Sequence, residues 1–100
     1  MVGKFTIPGD HPSLQGHFPG NPVVPGVVIL NRVVELVEQA LSSKTVTGIN
    51  YVKFIKPLRP DIEVVLRFEP SKAGSLGFAC EHDEGVIVKG QLVLAEKDAA

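Results

Sequence analysis

The pattern of apolar and polar positions divides the chain into an irregular N-terminal part, one helix and a series of strands. Residues 27–41 are predicted to form the helix, because Asn31, Glu35 and Glu38 recur at spacings of four and three and so share one helical face. Apolar residues cover most of the remaining surface of this segment, more than a surface helix requires. We therefore expect the helix to be largely enclosed.

Short apolar segments predict strands before and after the helix. Residues 4–7 form a first short candidate, and four more follow at residues 45–55, 61–69, 76–82 and 86–95. Turn-forming residues separate the later segments at 57–60, 70–74 and 83–85, and the last of these turns suits a tight hairpin. We therefore expect each of these later strands to pair antiparallel with the next one along the chain. The order predicts an α+β fold in which one antiparallel sheet curls around one long central helix.

Residues 8–26 contain too much proline and glycine for a regular helix or a central strand. Five of the eight prolines fall in this stretch. A long irregular segment in a compact domain is usually either functional or disordered, and the interspersed apolar residues with proline-fixed φ angles argue against disorder. We expect a rigid, packed loop that leads directly into the helix.

Length and composition fit a single domain over residues 1–100, since 44% of the 100 residues are hydrophobic. A formal net charge of −1 gives no global attraction for nucleic acid or for an anionic membrane. Cys80 is the only cysteine and lacks neighbours at zinc-ligand spacing, so we expect a small core residue and no metal site. Residues 1–16 lack the apolar run of a signal peptide, and a reducing cytoplasm is the expected location.

The most specific signal in the chain is the segment His17-Phe18-Pro19-Gly20-Asn21-Pro22-Val23-Val24-Pro25-Gly26. It resembles the His-Phe-Pro-Gly-x-Pro-x-x-Pro-Gly segment of the FabZ and FabA family of 3-hydroxyacyl-[acyl-carrier-protein] dehydratases. Residues 51–60 are similar to the family's second strand and its turn, so the likeness spans nearly the whole chain. The resemblance implies the hot-dog fold and a homodimer, or a trimer of dimers, with an apolar acyl tunnel at the subunit interface. It implies no cofactor besides the phosphopantetheine of acyl carrier protein or CoA that carries the substrate.

By this resemblance His17 is the base that removes the α-proton of the acyl group, because an imidazole titrates near neutral pH. The peptide N–H groups of Gly26 and Val27 lie at the predicted helix start, where unsatisfied donors and the helix dipole favour negative charge on a thioester oxygen. The motif also implies a set of substrate-binding residues, namely Phe18, Pro19, Gly20 and Pro25.

One position departs from the family pattern. Fourteen residues after the histidine, where the family carries an acidic residue on the helix, this sequence has Asn31. An amide can hold a hydroxyl group or a water molecule, but it cannot release a proton near neutral pH. Glu35, one turn further along the same face, is the nearest carboxylate that could substitute, and we expect it among the substrate-binding residues. Otherwise His17 performs both proton transfers, as in short relatives resembling the aryl-polyene-type dehydratases, or the protein binds thioesters without efficient turnover.

The sequence thus supports three functions. The preferred one is a (3R)-hydroxyacyl-[acyl-carrier-protein] dehydratase of lipid metabolism, a hydro-lyase. The second is an acyl thioesterase, because hot-dog proteins also hydrolyse thioesters, and the third is a non-catalytic acyl-thioester-binding subunit, because Asn31 replaces the acid. Three basic residues either border the site and attract the carrier protein or form an ordinary solvated face: Lys53, Lys56 and Arg59.

Overall fold

The computed structural model describes residues 1–14, 22–72, 74–83 and 85–97. Within these residues the chain forms strand β1 (Val2–Phe5), a 3-10 turn (Pro12–Leu14), helix α1 (Gly26–Ala40) and strands β2 (Lys44–Phe54), β3 (Val64–Pro70), β4 (Ser75–His82) and β5 (Gly85–Glu96). The described strands make one antiparallel sheet in the order β1-β3-β4-β5-β2. One long helix against a curled antiparallel sheet confirms the predicted α+β hot-dog fold.

The pairing of β2 differs from the sequential order that the sequence suggests. β3, β4 and β5 pair in chain order, but β2 pairs with β5 rather than with β3, and β1 occupies the position beside β3. The prolines between β2 and β3 therefore lie in a connection that runs from one edge of the sheet towards the other. Turn residues mark where a strand ends, but they do not specify which strands pair. As a result β2, with 11 residues, is an edge strand among the described strands.

Several boundaries also differ from those predicted. β1 lies two residues before the predicted strand, and the Ile7 carbonyl instead accepts a loop hydrogen bond from the Asp61 N–H at 2.8 Å. β3 begins at Val64 rather than at residue 61, because Asp61 has a φ of +64°, which does not fit an extended strand. The helix is displaced by one residue at each end from the predicted 27–41.

The helix α1 buries one stripe of side chains rather than its whole circumference. Ile29, Val33 and Val37 recur every four residues and are at most 2% exposed, so they dock the helix on the inner face of the sheet. On the opposite side Val27 is 64% exposed, and Asn31 and Glu35 are exposed with it. The expectation of a largely enclosed helix is therefore wrong for a single chain.

The core lies between this stripe and the inward-facing residues of β3, β4 and β5. Alternate positions of β3 and β4 are buried, as the pleat of a sheet requires, and comprise Val64, Leu66, Phe68, Leu76, Phe78 and Cys80. Cys80 is a core residue as predicted, and burial raises the pKa of its thiol to about 12. Among the described residues there is no cluster of potential metal ligands, and no described helix is long and apolar enough to cross a membrane.

Candidate functional site

The irregular segment at residues 8–26, hereafter the proline-rich loop, is packed at both of its described ends. At its entry Ile7 and Leu14 are 3% and 8% exposed, and the His11 N–H donates to the Pro8 carbonyl at 3.1 Å. At its exit Val24 is 3% exposed and donates its N–H to the Leu58 carbonyl at 2.8 Å. The predictions for His17, Phe18, Pro19 and Gly20 fall in residues 15–21, outside the described residues, and stay predictions.

The helix α1 starts directly after this loop. Pro25 is its N-cap residue, with φ −60° and ψ 143°, and its side chain offers no capping hydrogen bond. The Pro25 carbonyl accepts from the N–H groups of Val28 and Ile29 at 3.0 and 3.4 Å. The N–H groups of Gly26 and Val27 precede these bonds and belong to the first-turn donors that an α-helix does not satisfy by itself. The start of the helix therefore presents backbone donors and the positive end of the dipole.

A cleft of about 360 Å³ opens at the helix start. Its walls come from the loop exit, the first turn of α1 and the end of β2 with the connection that follows, comprising Val23, Val24, Gly26, Ile29, Phe54, Ile55, Lys56, Pro57 and Leu58. A larger cleft of about 530 Å³ lies around the start of β1, the end of β3 and the middle of β4, but it contains none of the predicted site residues. We assign the candidate site to the smaller cleft because it holds the helix start.

Phe54 forms a wall of this cleft that sequence reasoning missed. Its ring lies against Gly26, since a methyl group at Gly26 would meet the Phe54 Cζ and Cε1 atoms at 2.6 and 2.8 Å. The missing side chain of Gly26 therefore makes room for this ring, in addition to the close substrate approach that the sequence suggested. Phe54 is nevertheless 51% exposed. A signal for it is present in the sequence, as an aromatic residue at the end of a predicted strand beside the Lys56-Pro57 turn.

Asn31 and Glu35 do not line this cleft. Both lie on the exposed face of α1, one and two turns after Val27. Glu35 Oε2 accepts a hydrogen bond from Arg32 Nη1 at 2.6 Å. This contact keeps the Glu35 carboxylate at the helix surface beside Arg32. Within one chain, both residues therefore lie outside the cleft at the helix start.

The three basic residues of the predicted carrier surface are all exposed, but they occupy different places. Lys56 lines the cleft. Lys53 pairs across strands with Lys89, and the neighbouring Val52 pairs with the buried Gly90. Because neighbouring positions of a strand point to opposite faces, the two lysines lie on the outer face of the sheet. Arg59 lies in the connection between β2 and β3. The geometry thus favours Lys56 over Lys53 as a residue at the site entrance.

Comparison with known proteins gives consistent matches. A sequence model of the ApeI-like family, described as ApeI dehydratase, matches residues 1–91. The 3-hydroxyacyl-[acyl-carrier-protein] dehydratase FabZ of Caldicellulosiruptor saccharolyticus is 36% identical over 108 residues, which cover 96% of this chain and 76% of that protein. The dehydratase heterocomplex ApeI:P from Xenorhabdus doucetiae matches with a TM-score of 0.81 and 25% identity over 95% of this chain and 86% of that one. A mutant of the fluoroacetyl-CoA-specific thioesterase FlK, with a TM-score of 0.69 and 14% identity over 96% of this chain and 88% of its own, shares the fold alone.

Proposed function

This chain belongs to the ApeI-like family of dehydratases, and from that premise we propose that it removes water from a (3R)-hydroxyacyl thioester. The acyl group is carried on the phosphopantetheine of an acyl carrier protein or of CoA. A FabZ relative that is 36% identical is named for the acyl-carrier-protein substrate, which favours the protein carrier. Lys56, exposed at the rim of the cleft, is suited to attract the phosphate of that carrier.

The proposed reaction is a β-elimination. The imidazole of His17 takes the proton from the α-carbon, the C–H electron pair forms the new double bond, and the bond between the β-carbon and the hydroxyl breaks. The hydroxyl takes the proton that the His17 imidazolium now carries and leaves as water, so the neutral imidazole is restored. Negative charge develops on the thioester oxygen during this step, and the N–H groups of Gly26 and Val27 are proposed to stabilise it.

The observation that carries the proposal is the start of α1 at the cleft. A helix start that has no side-chain cap at Pro25 and borders a cleft at Gly26 offers backbone donors to a ligand. Its surroundings are mainly apolar, with Val24, Ile29 and Phe54 among the walls. Apolar walls beside a few convergent donors suit a thioester with an acyl chain.

We further propose that the complete site is formed by a homodimer. Ile49 and Phe54 are 52% and 51% exposed, yet their cross-strand partners are the buried Leu92 and Val88, so both face the helix side of the sheet. They lie on edge strand β2, which can pair with a second copy. The exposed face of α1 carries Val27, which is 64% exposed, together with Asn31. In such a dimer Asn31 is buried at the interface, where it can orient the substrate hydroxyl.

The assignment of His17 is tested by turnover. Purified protein is incubated with (3R)-hydroxyacyl-[acyl-carrier-protein] of several chain lengths, while enoyl absorbance and the mass lost as water are followed. We expect water loss in the wild type and a decrease of at least about 100-fold in His17→Ala, as for the loss of a general base. His11→Ala removes an imidazole from the same loop and serves as the control. Unchanged turnover in His17→Ala would overturn the assignment.

The role of Asn31 is tested by restoring a carboxylic acid. If His17 carries out both proton transfers and the second one limits the rate, Asn31→Glu should accelerate turnover by up to about 100-fold. Asn31→Gln has the same side-chain length without an acidic proton, and it should not accelerate the reaction. Equal rates in the two variants would show that proton donation at this position is not limiting.

Asn31 also favours a second candidate function, that of a thioester-binding subunit. Asn31 supplies no acid, and the relative from Xenorhabdus doucetiae is a dehydratase heterocomplex, so a second, different chain could carry the acid instead. Binding of acyl carrier protein thioester without water loss or release of free thiol would support this function over the first. Release of free thiol in that same assay would indicate a thioesterase.

A further inference from the structure

The connection between β2 and β3 contacts both described ends of the proline-rich loop. The Leu58 carbonyl accepts the Val24 N–H at 2.8 Å at the loop exit, and the Asp61 N–H donates to the Ile7 carbonyl at 2.8 Å at the loop entry. Leu58 is 1% exposed, so its end of this connection is fixed in the core. Two positions three residues apart therefore hold the entry and the exit of the loop.

Asp61 adopts an unusual conformation in making this contact. Its φ of +64° lies in the left-handed region, which asparagine and aspartate tolerate better than most residues with a side chain. From there its Oδ1 accepts the Gly9 N–H at 2.9 Å. A methyl group at Gly9 would lie 2.8 Å from Asp61 Oδ2, so a side chain at position 9 would displace the Asp61 carboxylate. Asp61 thus holds residues 7–9 through its backbone and through its carboxylate.

We propose that Asp61 is a positioning residue for the reaction, and that with Leu58 it fixes the separation between the two ends of the loop that contains His17. The inference rests on the proposed function, in which His17 is the base. A base has to reach the α-carbon of a thioester bound at Gly26, and a misplacement of about 1 Å can lower a rate by about 100-fold. Substrate affinity depends on the cleft walls, which do not include Asp61.

Two substitutions of Asp61 separate the effect of its backbone conformation from the effect of its carboxylate. Asp61→Asn keeps an oxygen acceptor for the Gly9 N–H and tolerates the positive φ, so it should behave like the wild type. Asp61→Gly keeps the backbone conformation but removes the acceptor. For Asp61→Gly we expect kcat to fall by about 10- to 100-fold while KM stays within about threefold. A purely structural role would lower the melting temperature and leave kcat per folded molecule unchanged.

Gly9 provides an independent test of the same contact. Gly9→Ala should impair the wild type, because its methyl group displaces the Asp61 carboxylate. In the Asp61→Gly background this collision is absent, so adding Gly9→Ala should cause little further loss. Additive losses of kcat in the double variant would contradict a shared contact.

Amide hydrogen exchange keeps this inference separate from the proposed function. Exchange over residues 7–14 and 22–25 should be faster in Asp61→Gly than in the wild type, and unchanged in Asp61→Asn, whether or not the protein is a dehydratase. Wild-type exchange in Asp61→Gly would overturn the positioning role, and so would an Asp61→Asn variant as impaired as Asp61→Gly. A wild type without turnover, but with the expected exchange pattern, would overturn only the function proposed for His17.

Discussion

Two parts of the molecule differ in how completely a single chain buries their apolar side chains. The first part is the three strands β3-β4-β5, and the second is β2 with the start of α1. Leu66, Leu76 and Leu92 on the first part are fully buried. Ile49 and Phe54 on the helix side of β2 are about half exposed, at 52% and 51%. A large apolar surface left open beside a well-packed core usually marks a binding surface. On this comparison β3-β4-β5 forms the core that one chain completes, while β2 and the helix start carry the proposed ligand site and the proposed dimer surface.

The largest expected effect comes from breaking the junction between the two parts, at Gly90. A methyl group there would lie 2.4 Å from the Tyr51 carbonyl oxygen and 3.1 Å from Val52 Cα, and backbone atoms on a paired strand cannot swing away. We expect Gly90→Ala to lower the free energy of unfolding by about 4 kcal/mol or more, above the usual range for overpacking. Urea unfolding followed by circular dichroism measures this change.

The control for Gly90 is Gly77, another strand glycine, on β4. No described atom lies within 4 Å of a methyl group placed there. Gly77→Ala should therefore be neutral or raise stability by about 0.5 kcal/mol, because alanine loses less backbone freedom on folding. Similar losses in the two variants would refute the steric explanation.

The second-largest effect tests whether one chain alone buries the apolar side chains of β3-β4-β5. Leu76 is fully buried, so Leu76→Ala should cost about 3 kcal/mol through lost burial and a cavity. This loss should be the same at all protein concentrations, because no second copy is needed to bury Leu76. Thermal unfolding over a wide concentration range measures it. A loss that shrinks at high concentration would place Leu76 at a subunit contact and contradict the comparison.

The sequence was more informative about the first part than about the second. The strands β3, β4 and β5 and the hairpin between β4 and β5 can be read locally, because they depend on neighbours within a few positions. The pairing of β2 with β5 and the Phe54 ring against Gly26 join residues far apart in the chain, and local patterns do not specify such partners. The positive φ of Asp61 is equally hidden, since an aspartate in the connection before β3 is turn-forming in either conformation.

The third effect tests whether the open surface on β2 is covered by a second copy. Ile49→Lys places a charge on this surface, and a dissociation constant raised by about 10-fold or more is expected for a desolvated interface. Val2→Lys is the matched control, because Val2 is 57% exposed and lies on the opposite edge strand β1. Sedimentation equilibrium measures both. If the two variants dissociate alike, or Val2→Lys dissociates more, β2 is not the interface.

The smallest effect lies at the other end of α1, where Glu38 joins the helix to the start of β2. Its Oε2 accepts hydrogen bonds from the Val46 N–H at 2.8 Å and from Thr45 Oγ1 at 2.9 Å. The bond from Val46, and then that from Thr45, lower the pKa of Glu38 from its ordinary value of 4.5. Because the folded pKa is the lower one, the stabilisation is present above the unfolded pKa and is lost as the pH falls through the folded pKa.

Replacing Glu38 by glutamine should remove this pH dependence while keeping an oxygen acceptor. We expect Glu38→Gln to cost about 1 kcal/mol at about pH 7 and much less at about pH 3, measured by urea unfolding at both values. Glu35→Gln, which breaks an exposed ion pair on the same helix, should change stability by less than about 0.5 kcal/mol. An equal loss at both pH values would mean that packing, and not the ionised carboxylate, carries the contribution of Glu38. Turnover per folded molecule should stay unchanged in Glu38→Gln, because this junction is remote from the cleft at Gly26.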